Sequence, residues 1–133
     1  MTASGSTTSK VSDLGTAKIV FTVTANGGDI YIPTSDNTTS TITGKINNST
    51  NITTKAWICT NATEDSTTKF WRIVSGNTAT CEYNGVFTAN NASYYYVNIS
   101  SIVWNTSATS QGAITQTWGI DTLKTGQTYL SGN

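Results

Sequence analysis

The stretch from Thr16 to Pro33, TAKIVFTVTANGGDIYIP, constrains the fold of this chain more than any other part of the sequence. Apolar residues at positions 19, 21, 23 and 25 alternate with Val20 and two threonines, the period-two pattern of a strand with one face on a core. Asn26-Gly27-Gly28 interrupts the alternation with residues that tolerate positive φ, and the pattern then resumes until Pro33. The stretch therefore predicts one long strand, broken once, at the edge of a two-sheet sandwich, pairing with a different sheet on each side of the break.

The composition favours an all-β fold. The 133 residues include 28 Thr, 15 Ser and 13 Asn but only one Pro. β-branched side chains lose rotamer freedom in helices and pack well on sheets. Four Trp and six Tyr supply aromatic mass that a disordered Ser/Thr-rich chain lacks. With turn signals between the apolar runs, we predict a two-sheet sandwich of about seven to nine antiparallel strands and no substantial helix.

The chain is long enough for one domain with a real core. Residues 16–133 are predicted to form this single β-sandwich domain. Residues 1–15 are a polar tail without a core-forming pattern, and such tails are ordinarily mobile. Two alternatives would order the tail: pairing with the chain's own sheet, or pairing with a neighbouring subunit.

Three local patterns specify individual strands. Thr54 to Thr60 carries Trp57 and Cys59 on one face, which indicates a central strand. Asn84-Gly85 is the strongest hairpin signal in the chain and predicts a tight turn. Ser93 to Trp104 is the longest uninterrupted strand candidate and is also expected to be central.

Cys59 and Cys81 are the only cysteines, and both lie in strand-like runs. A disulfide between them would close a loop of about 22 residues and contribute about 3 kcal/mol in the chain-entropy model. Such a bond would indicate an oxidising compartment. The alternative is a pair of unpaired, buried thiols. Two cysteines without a histidine do not complete a tetrahedral zinc site, so no metal is predicted.

Eight Asn-x-Ser/Thr triplets make the chain a candidate glycoprotein. Chance and real glycosylation are both open, because a chain so rich in Asn, Ser and Thr produces several triplets by composition alone. An acceptor must face solvent, which is in question for Asn98 because it lies within a predicted strand. The candidate acceptors are Asn37, Asn47, Asn48, Asn51, Asn61, Asn91, Asn98 and Asn105.

Several function classes are excluded by charge and residue type. Charged residues are 11% of the chain and the formal net charge is zero, so no basic field attracts nucleic acid. No apolar run approaches the length of a membrane span, and no membrane insertion is expected. Without histidine, Ser-His-Asp and Cys-His catalysis are absent, and the adjacent acids Glu64 and Asp65 belong to a loop. We therefore predict neither an enzyme nor a cofactor.

Three segments carry a resemblance to a known type of module. They are IVFTVTANGGDIYIP near the start, SYYYVNISSIVWNTS later, and the closing GIDTLKTGQTYL. Together they resemble immunoglobulin-like modules of long surface-exposed or wall-associated microbial proteins. The resemblance implies an immunoglobulin-like sandwich and a structural or adhesive extracellular role, and it supplies no catalytic residues. The cysteine pair and the density of triplets depart from that family.

Strand addition is the first function that these features predict. The protein would be a non-enzymatic extracellular or cell-surface structural subunit, within a filament or array, that pairs with copies of itself or with neighbouring surface modules. The pairing would use the N-terminal tail or the exposed edge of the first stretch. The candidate assembly edge comprises Lys18, Val20, Thr22 and Thr24.

Glycan binding is the alternative function. The faces of Trp and Tyr rings stack on sugar rings, as they do on other flat apolar surfaces with polar rims. Core packing competes with this role for each aromatic residue. The candidate glycan platform comprises Trp71, Tyr94, Tyr96 and Trp104.

Overall fold

The computed structural model describes residues 3–11, 14–37, 42–108, 114–117 and 122–131. These residues form antiparallel strands and turns without a helix, which confirms the all-β prediction. The predicted number of strands was too low, because bends divide several long strands. In chain order the strands are β1 (Ala3–Val11), β2 (Leu14–Thr24), β3 (Ile30–Pro33), β4 (Thr43–Ile46), β5 (Thr50–Asn51), β6 (Thr54–Thr60), β7 (Thr63–Asp65), β8 (Phe70–Ile73), β9 (Thr78–Thr88), β10 (Ser93–Tyr95), β11 (Val97–Trp104), β12 (Ile114–Thr117) and β13 (Thr128–Leu130).

The strands form a β-sandwich. One layer is the four-stranded sheet β1-β2-β9-β6. The other contains the sheets β12-β11-β4-β5, β3-β8-β7 and β10-β13. Paired hydrogen bonds of 2.8 Å between Tyr31 and Asn105 join β3 to the end of β11. A bridge between Asn98 and Lys124 joins β11 to the segment that leads into β13.

The break in the first stretch lies where the sequence predicts it, and the chain changes sheets there. β2 pairs with β9, and β3, beyond Gly27 (φ 78°), pairs with β8. The chain changes layers in the same way between β6 and β7 and between β8 and β9. Three neighbouring strands therefore turn one corner together, as in sandwiches whose strands switch sheets at bends. Ala25 supports the corner by bonding Asn77 and Gly76 through its backbone.

An ion pair ties this corner. The Arg72 Nε donates to the Asp29 carboxylate at 2.8 Å, with Nη2 at 2.7 Å, and the Ser75 N–H donates to the same carboxylate at 2.9 Å. The Ser75 hydrogen bond and the Arg72 guanidinium lower the pKa of Asp29. Asp29 thus joins the chain just before β3 to β8 and to the turn that follows it.

The core lies between the layers and depends on a few large side chains. Tyr83 of β9 is fully buried and stacks on Trp57 of β6, with ring centroids 6.4 Å apart. Its hydroxyl group reaches the opposite layer, where it would collide with a Cβ at Gly44 of β4. Trp57 donates its indole N–H to the Pro33 carbonyl at 2.6 Å. Both aromatic residues therefore connect the two layers.

The predicted disulfide between Cys59 and Cys81 is present. The two residues are direct register partners in the β6–β9 ladder, and both are buried on the core face. The bond thus fastens the outer strand β6 to its only ladder partner among the described residues. A disulfide is compatible with an extracellular location.

The structure corrects four local predictions. Asn84-Gly85 forms no hairpin, because both residues lie inside the 11-residue strand β9, where Gly85 makes room for Ile52 and Tyr83. β6 is an outer strand and not a central one. The stretch 93–104 is divided at Tyr96 into β10 and β11, although β11 is central as predicted. β2 is not an edge strand, since it lies between β1 and β9.

The N-terminal tail covers the edge of β2. Residues 3–11 of the predicted tail form β1, which pairs antiparallel with β2 from Ala3 opposite Phe21 to Val11 opposite Leu14. Of the two alternatives for ordering the tail, the chain's own sheet is the one in this structure. Residues 1, 2, 12 and 13 of the tail lie outside the described residues.

The contact between Tyr83 and Gly44 predicts a coupled pair of substitutions. We expect Gly44→Ala to lower the free energy of unfolding by roughly 1–3 kcal/mol, because the added methyl group overpacks the core. Tyr83→Phe alone is expected to cost little or to stabilise the fold, since the buried hydroxyl has no hydrogen-bond partner among the described residues. The penalty of Gly44→Ala should be smaller in the Tyr83→Phe background. Urea denaturation of the unmodified protein, the two single variants and the double variant measures this coupling, and additive changes in the free energy of unfolding would contradict it.

Candidate assembly edge, aromatic pair and glycan acceptors

Two outer strands offer a long backbone edge. β1 has nine residues and β6 has seven, whereas every other outer strand of the described sheets has two to four. A long outer strand presents unpaired N–H and C=O groups that can accept another strand. Short outer strands present few. β1 and β6 are therefore the edges to compare.

Lys55 guards the edge of β6. It has the same parity as the core residues Trp57 and Cys59, and its side chain is half-buried. The ammonium group donates to the Ile42 carbonyl at 3.2 Å, and burial lowers the pKa of Lys55. An inward-pointing charge on an outer strand is one of the devices by which natural sheets prevent pairing with other chains. β6 is therefore protected.

β1 is the more open edge. Its only ladder partner among the described residues is β2, and β13 packs beside it without forming a ladder in that part of the chain. The strand sequence, ASGSTTSKV, contains no proline and a single charge, at Lys10. Proline and charge are the usual guards of an exposed edge. The structure thus places the longest described edge on the N-terminal strand.

The residues predicted to form an assembly edge lie on the outer face of an internal strand. Lys18 and Thr24 are exposed, and Val20 and Thr22 are half-buried. Because β2 is paired on both sides, its backbone cannot receive a further strand. The prediction is therefore wrong for these four residues. The outer strand on this side of the sheet is β1.

The outer face of this sheet has a neutral centre. Lys18 and Glu82 form an ion pair at 2.9 Å, and Asn84 also donates to Glu82 at 3.0 Å. Lys18 and then Asn84 lower the pKa of Glu82. The carboxylate and the ammonium neutralise each other across the β2–β9 ladder. The face therefore adds no net charge at this point.

The four aromatic residues predicted to form a glycan platform do not form one. Trp71 and Trp104 are half-buried and pack against the core cluster. Tyr94 is 62% exposed, and Tyr96 is half-buried beneath the Lys124 ammonium, which lies 5.0 Å from its ring centroid. Trp71, Tyr94 and Trp104 belong to three different sheets, and Tyr96 lies between β10 and β11, which explains the separation.

A different aromatic pair is exposed instead. Tyr94 and Tyr129 are direct register partners in the β10–β13 ladder, with ring centroids 5.4 Å apart and ring planes at 69°. Tyr129 is 55% exposed. Sequence reasoning missed Tyr129, because nothing in the local pattern shows which residue lies opposite Tyr94. The two rings form an angled, exposed apolar surface.

Two of the predicted glycan acceptors are buried. Asn98 is 1% exposed, and its amide nitrogen donates to the Asn48 side chain at 3.3 Å. Asn105 is 4% exposed and is held by its backbone bonds to Tyr31. Neither asparagine faces solvent, so the prediction is wrong for both in the folded chain. Period-two alternation does not predict the burial of Asn98, because in β11 three successive residues, 97, 98 and 99, are all buried.

Three other asparagines use their side chains to hold loops. Asn37 donates to the Lys69 carbonyl at 2.9 Å, and Asn61 donates to the Thr78 carbonyl at 2.7 Å. Asn47 donates to the Tyr94 carbonyl at 3.3 Å and accepts the Tyr96 N–H at 3.0 Å. Asn47 and Asn61 have positive φ, which asparagine tolerates better than most residues. These asparagines therefore have structural roles.

One shallow cleft lies at the corner of the sandwich. It has a volume of about 210 Å³ and is lined by polar groups of Asn61, Thr63, Arg72 and Asn77 beside exposed Val74. Arg72 already binds Asp29 there. In the described ranges, no three acidic or cysteine side chains converge as a metal site would require. The cleft contains hydrogen-bonding groups but no nucleophile beside a base.

Comparison with known proteins adds no assignment. The chain matches no protein-family model, no curated protein sequence and no solved structure. The described part of the chain contains no helix that is long and apolar enough to cross a membrane. The resemblance to immunoglobulin-like surface modules stays a prediction.

Proposed function

We propose that this protein is a non-enzymatic extracellular structural module that associates with copies of itself, or with neighbouring surface modules, by strand addition at β1. The observation that carries the proposal is the contrast between two long outer strands. β1 presents nine residues without a proline, whereas β6 is guarded by the inward Lys55. Main-chain hydrogen bonds would supply the affinity of such a contact.

The surface chemistry suits a densely packed extracellular layer. The formal net charge is zero, and Thr, Ser and Asn dominate the exposed positions. Neutral surfaces do not repel their copies, so association is favoured over dispersal. The buried disulfide supports an oxidising location outside the cell.

Two neighbouring proline substitutions test the edge of β1. Successive residues of an antiparallel strand direct their N–H groups to opposite sides, so Ser6→Pro and Thr7→Pro each remove a donor from a different side of β1. The substitution on the β2 side should lower the free energy of unfolding by about 1–3 kcal/mol. The substitution on the open side should leave stability nearly unchanged and abolish self-association. Thermal melting and sedimentation of both variants separate the two effects.

Self-association by strand addition at β1 would be refuted by either of two results. One is an unmodified protein that sediments as a monomer at millimolar concentration. The other is undiminished association in both proline variants. Each result would remove the role of this edge while leaving the fold unaffected.

Removing the guard of β6 provides a second test. We expect Lys55→Met to maintain or raise stability, because burial already disfavours the charged form of this lysine. The same substitution should increase association, because β6 then becomes an unguarded edge. Lys69→Met is the matched control, since it removes the same charge from an exposed turn. Light scattering against concentration is the measurement, and equal association of the two variants would contradict a guarding role.

Glycan binding at Tyr94 and Tyr129 is the second candidate function, favoured by the exposure of both rings. One ring can stack on the apolar face of a sugar while the other contacts its edge. Double substitution Tyr94→Ala/Tyr129→Ala should weaken binding to an oligosaccharide array about tenfold or more. Ile58→Ala, at another exposed apolar residue, is the control that should retain binding. Absence of binding by the unmodified protein would exclude this function.

A further inference from the structure

The eight Asn-x-Ser/Thr triplets separate into two structural classes. Five of the asparagines have a structural role. Two are buried, and three use their side-chain amide to hold a loop: Asn98 and Asn105, and Asn37, Asn47 and Asn61, respectively. The remaining three are all exposed: Asn48, Asn51 and Asn91. We infer that the folded protein presents Asn48, Asn51 and Asn91 as acceptors for N-linked glycans. This inference concerns covalent modification and is independent of strand addition.

The number of triplets exceeds what composition produces. With 13 Asn and 43 Ser or Thr among 133 residues, random placement gives about four triplets, half of the eight present. The turn and core roles of the five structural asparagines account for an excess of this size. Of the three exposed ones, Asn51 and Asn91 make no side-chain hydrogen bond to the described residues, whereas Asn48 has positive φ and accepts one from Asn98 through its oxygen only.

The chemistry of transfer requires a free amide nitrogen. The Asn Nδ2 attacks the anomeric carbon of an activated sugar, a C–N bond forms, and the phosphate leaving group departs with the electron pair of the broken C–O bond. The nitrogen loses one proton to a base of the transferase. An activated sugar phosphate, either lipid-linked or nucleotide-linked, is therefore the co-substrate. An Nδ2 held against a carbonyl, as at 2.7 Å in Asn61, is poorly placed for this attack.

Each of the three acceptors has its amide nitrogen available. Asn48 uses only its side-chain oxygen, which accepts from Asn98. Asn51 and Asn91 make no side-chain hydrogen bond to the described residues, and Asn91 is held only through its backbone by the Tyr95 hydroxyl. Asn48 lies in the β4–β5 turn, and Asn91 lies in the β9–β10 turn. Exposed turns are the positions where a transferase can reach a folded chain.

Two of the acceptors, Asn48 and Asn91, lie in turns that contact the same strand. Asn47 binds the β4–β5 turn to Tyr94 and Tyr96, and the Tyr95 hydroxyl binds the β9–β10 turn. Both turns therefore lie beside β10. None of the three asparagines belongs to β1. Glycans on these turns would lie near β10 and its ladder partner β13, a strand that also packs beside β1.

The test is enzymatic glycosylation of the folded, disulfide-bonded protein. The probe is a soluble N-glycosyltransferase specific for Asn-x-Ser/Thr, with its nucleotide-sugar donor, and site occupancy is read by peptide mass spectrometry. We expect modification at Asn48, Asn51 and Asn91, with occupancy at least tenfold lower at the other five sites. The reduced and denatured chain is the control, and it should be modified at the other sites as well.

Two outcomes would overturn the inference. One is occupancy of Asn47 or Asn61 in the folded protein equal to that of Asn51 and Asn91. The other is an unmodified Asn48, Asn51 or Asn91 in the folded protein when the same site is modified in the denatured chain.

A matched pair of substitutions tests, without a transferase, whether Asn61 has a structural role that Asn51 lacks. Asn61→Asp removes the donor to the Thr78 carbonyl and should lower the melting temperature, whereas Asn51→Asp should not. Equal melting temperatures for the two variants would overturn the division into classes.

Discussion

The packing of Tyr83 against Gly44 brings the two layers of this sandwich into direct contact. Face-to-face sheets are about 10 Å apart, and a tyrosine that crosses this gap fits only where the opposite strand carries no side chain. Gly44 provides that space. Trp57 stacks on the same ring and binds the Pro33 carbonyl in the second layer. A chain with only 36% hydrophobic residues thus obtains a close-packed core from a small number of large contacts.

The disulfide and the corner ion pair support this arrangement at different places. Cys59–Cys81 is the next core-facing pair after Trp57 and Tyr83, two residues along the β6–β9 ladder, so it supports the register that places these rings together. Asp29 and Arg72 hold the bend that carries the chain from one layer to the other. The Asp29 pKa is lowered, so its contribution is present above the pKa of the unfolded chain and is lost in acid. Core packing therefore determines the fold, and the corner is one of its acid-sensitive parts, together with the Lys18–Glu82 pair, whose carboxylate also has a lowered pKa.

Periodicity predicted the strands well where side chains alone decide the structure. The alternation and the break of the first stretch correctly predicted β2 and β3, and the two cysteines correctly predicted the disulfide. Prediction failed where a residue's role depends on a partner distant in sequence. Gly85 was interpreted as a turn residue, but it lies inside β9, where a Cβ would crowd Ile52 and Tyr83. β1 was not predicted, because its sequence has no apolar alternation. The strand is held instead by its backbone ladder with β2. Only the register of the β10–β13 ladder shows that Tyr129 lies opposite Tyr94.

The choice of edge also determines the symmetry of any assembly built by strand addition. Pairing of β1 with β1 of a second copy is an isologous contact, which closes at a two-fold dimer. Pairing of β1 with β6 of the next copy is heterologous and would extend a continuous sheet from copy to copy. A strand added at β6 would further bury Lys55, whose pKa burial already lowers. The β1–β1 contact therefore costs less at neutral pH. Growth into an array then requires a second contact elsewhere, for which the outer face around Ile58 and the neutralised Lys18–Glu82 pair offers an exposed apolar residue without net charge.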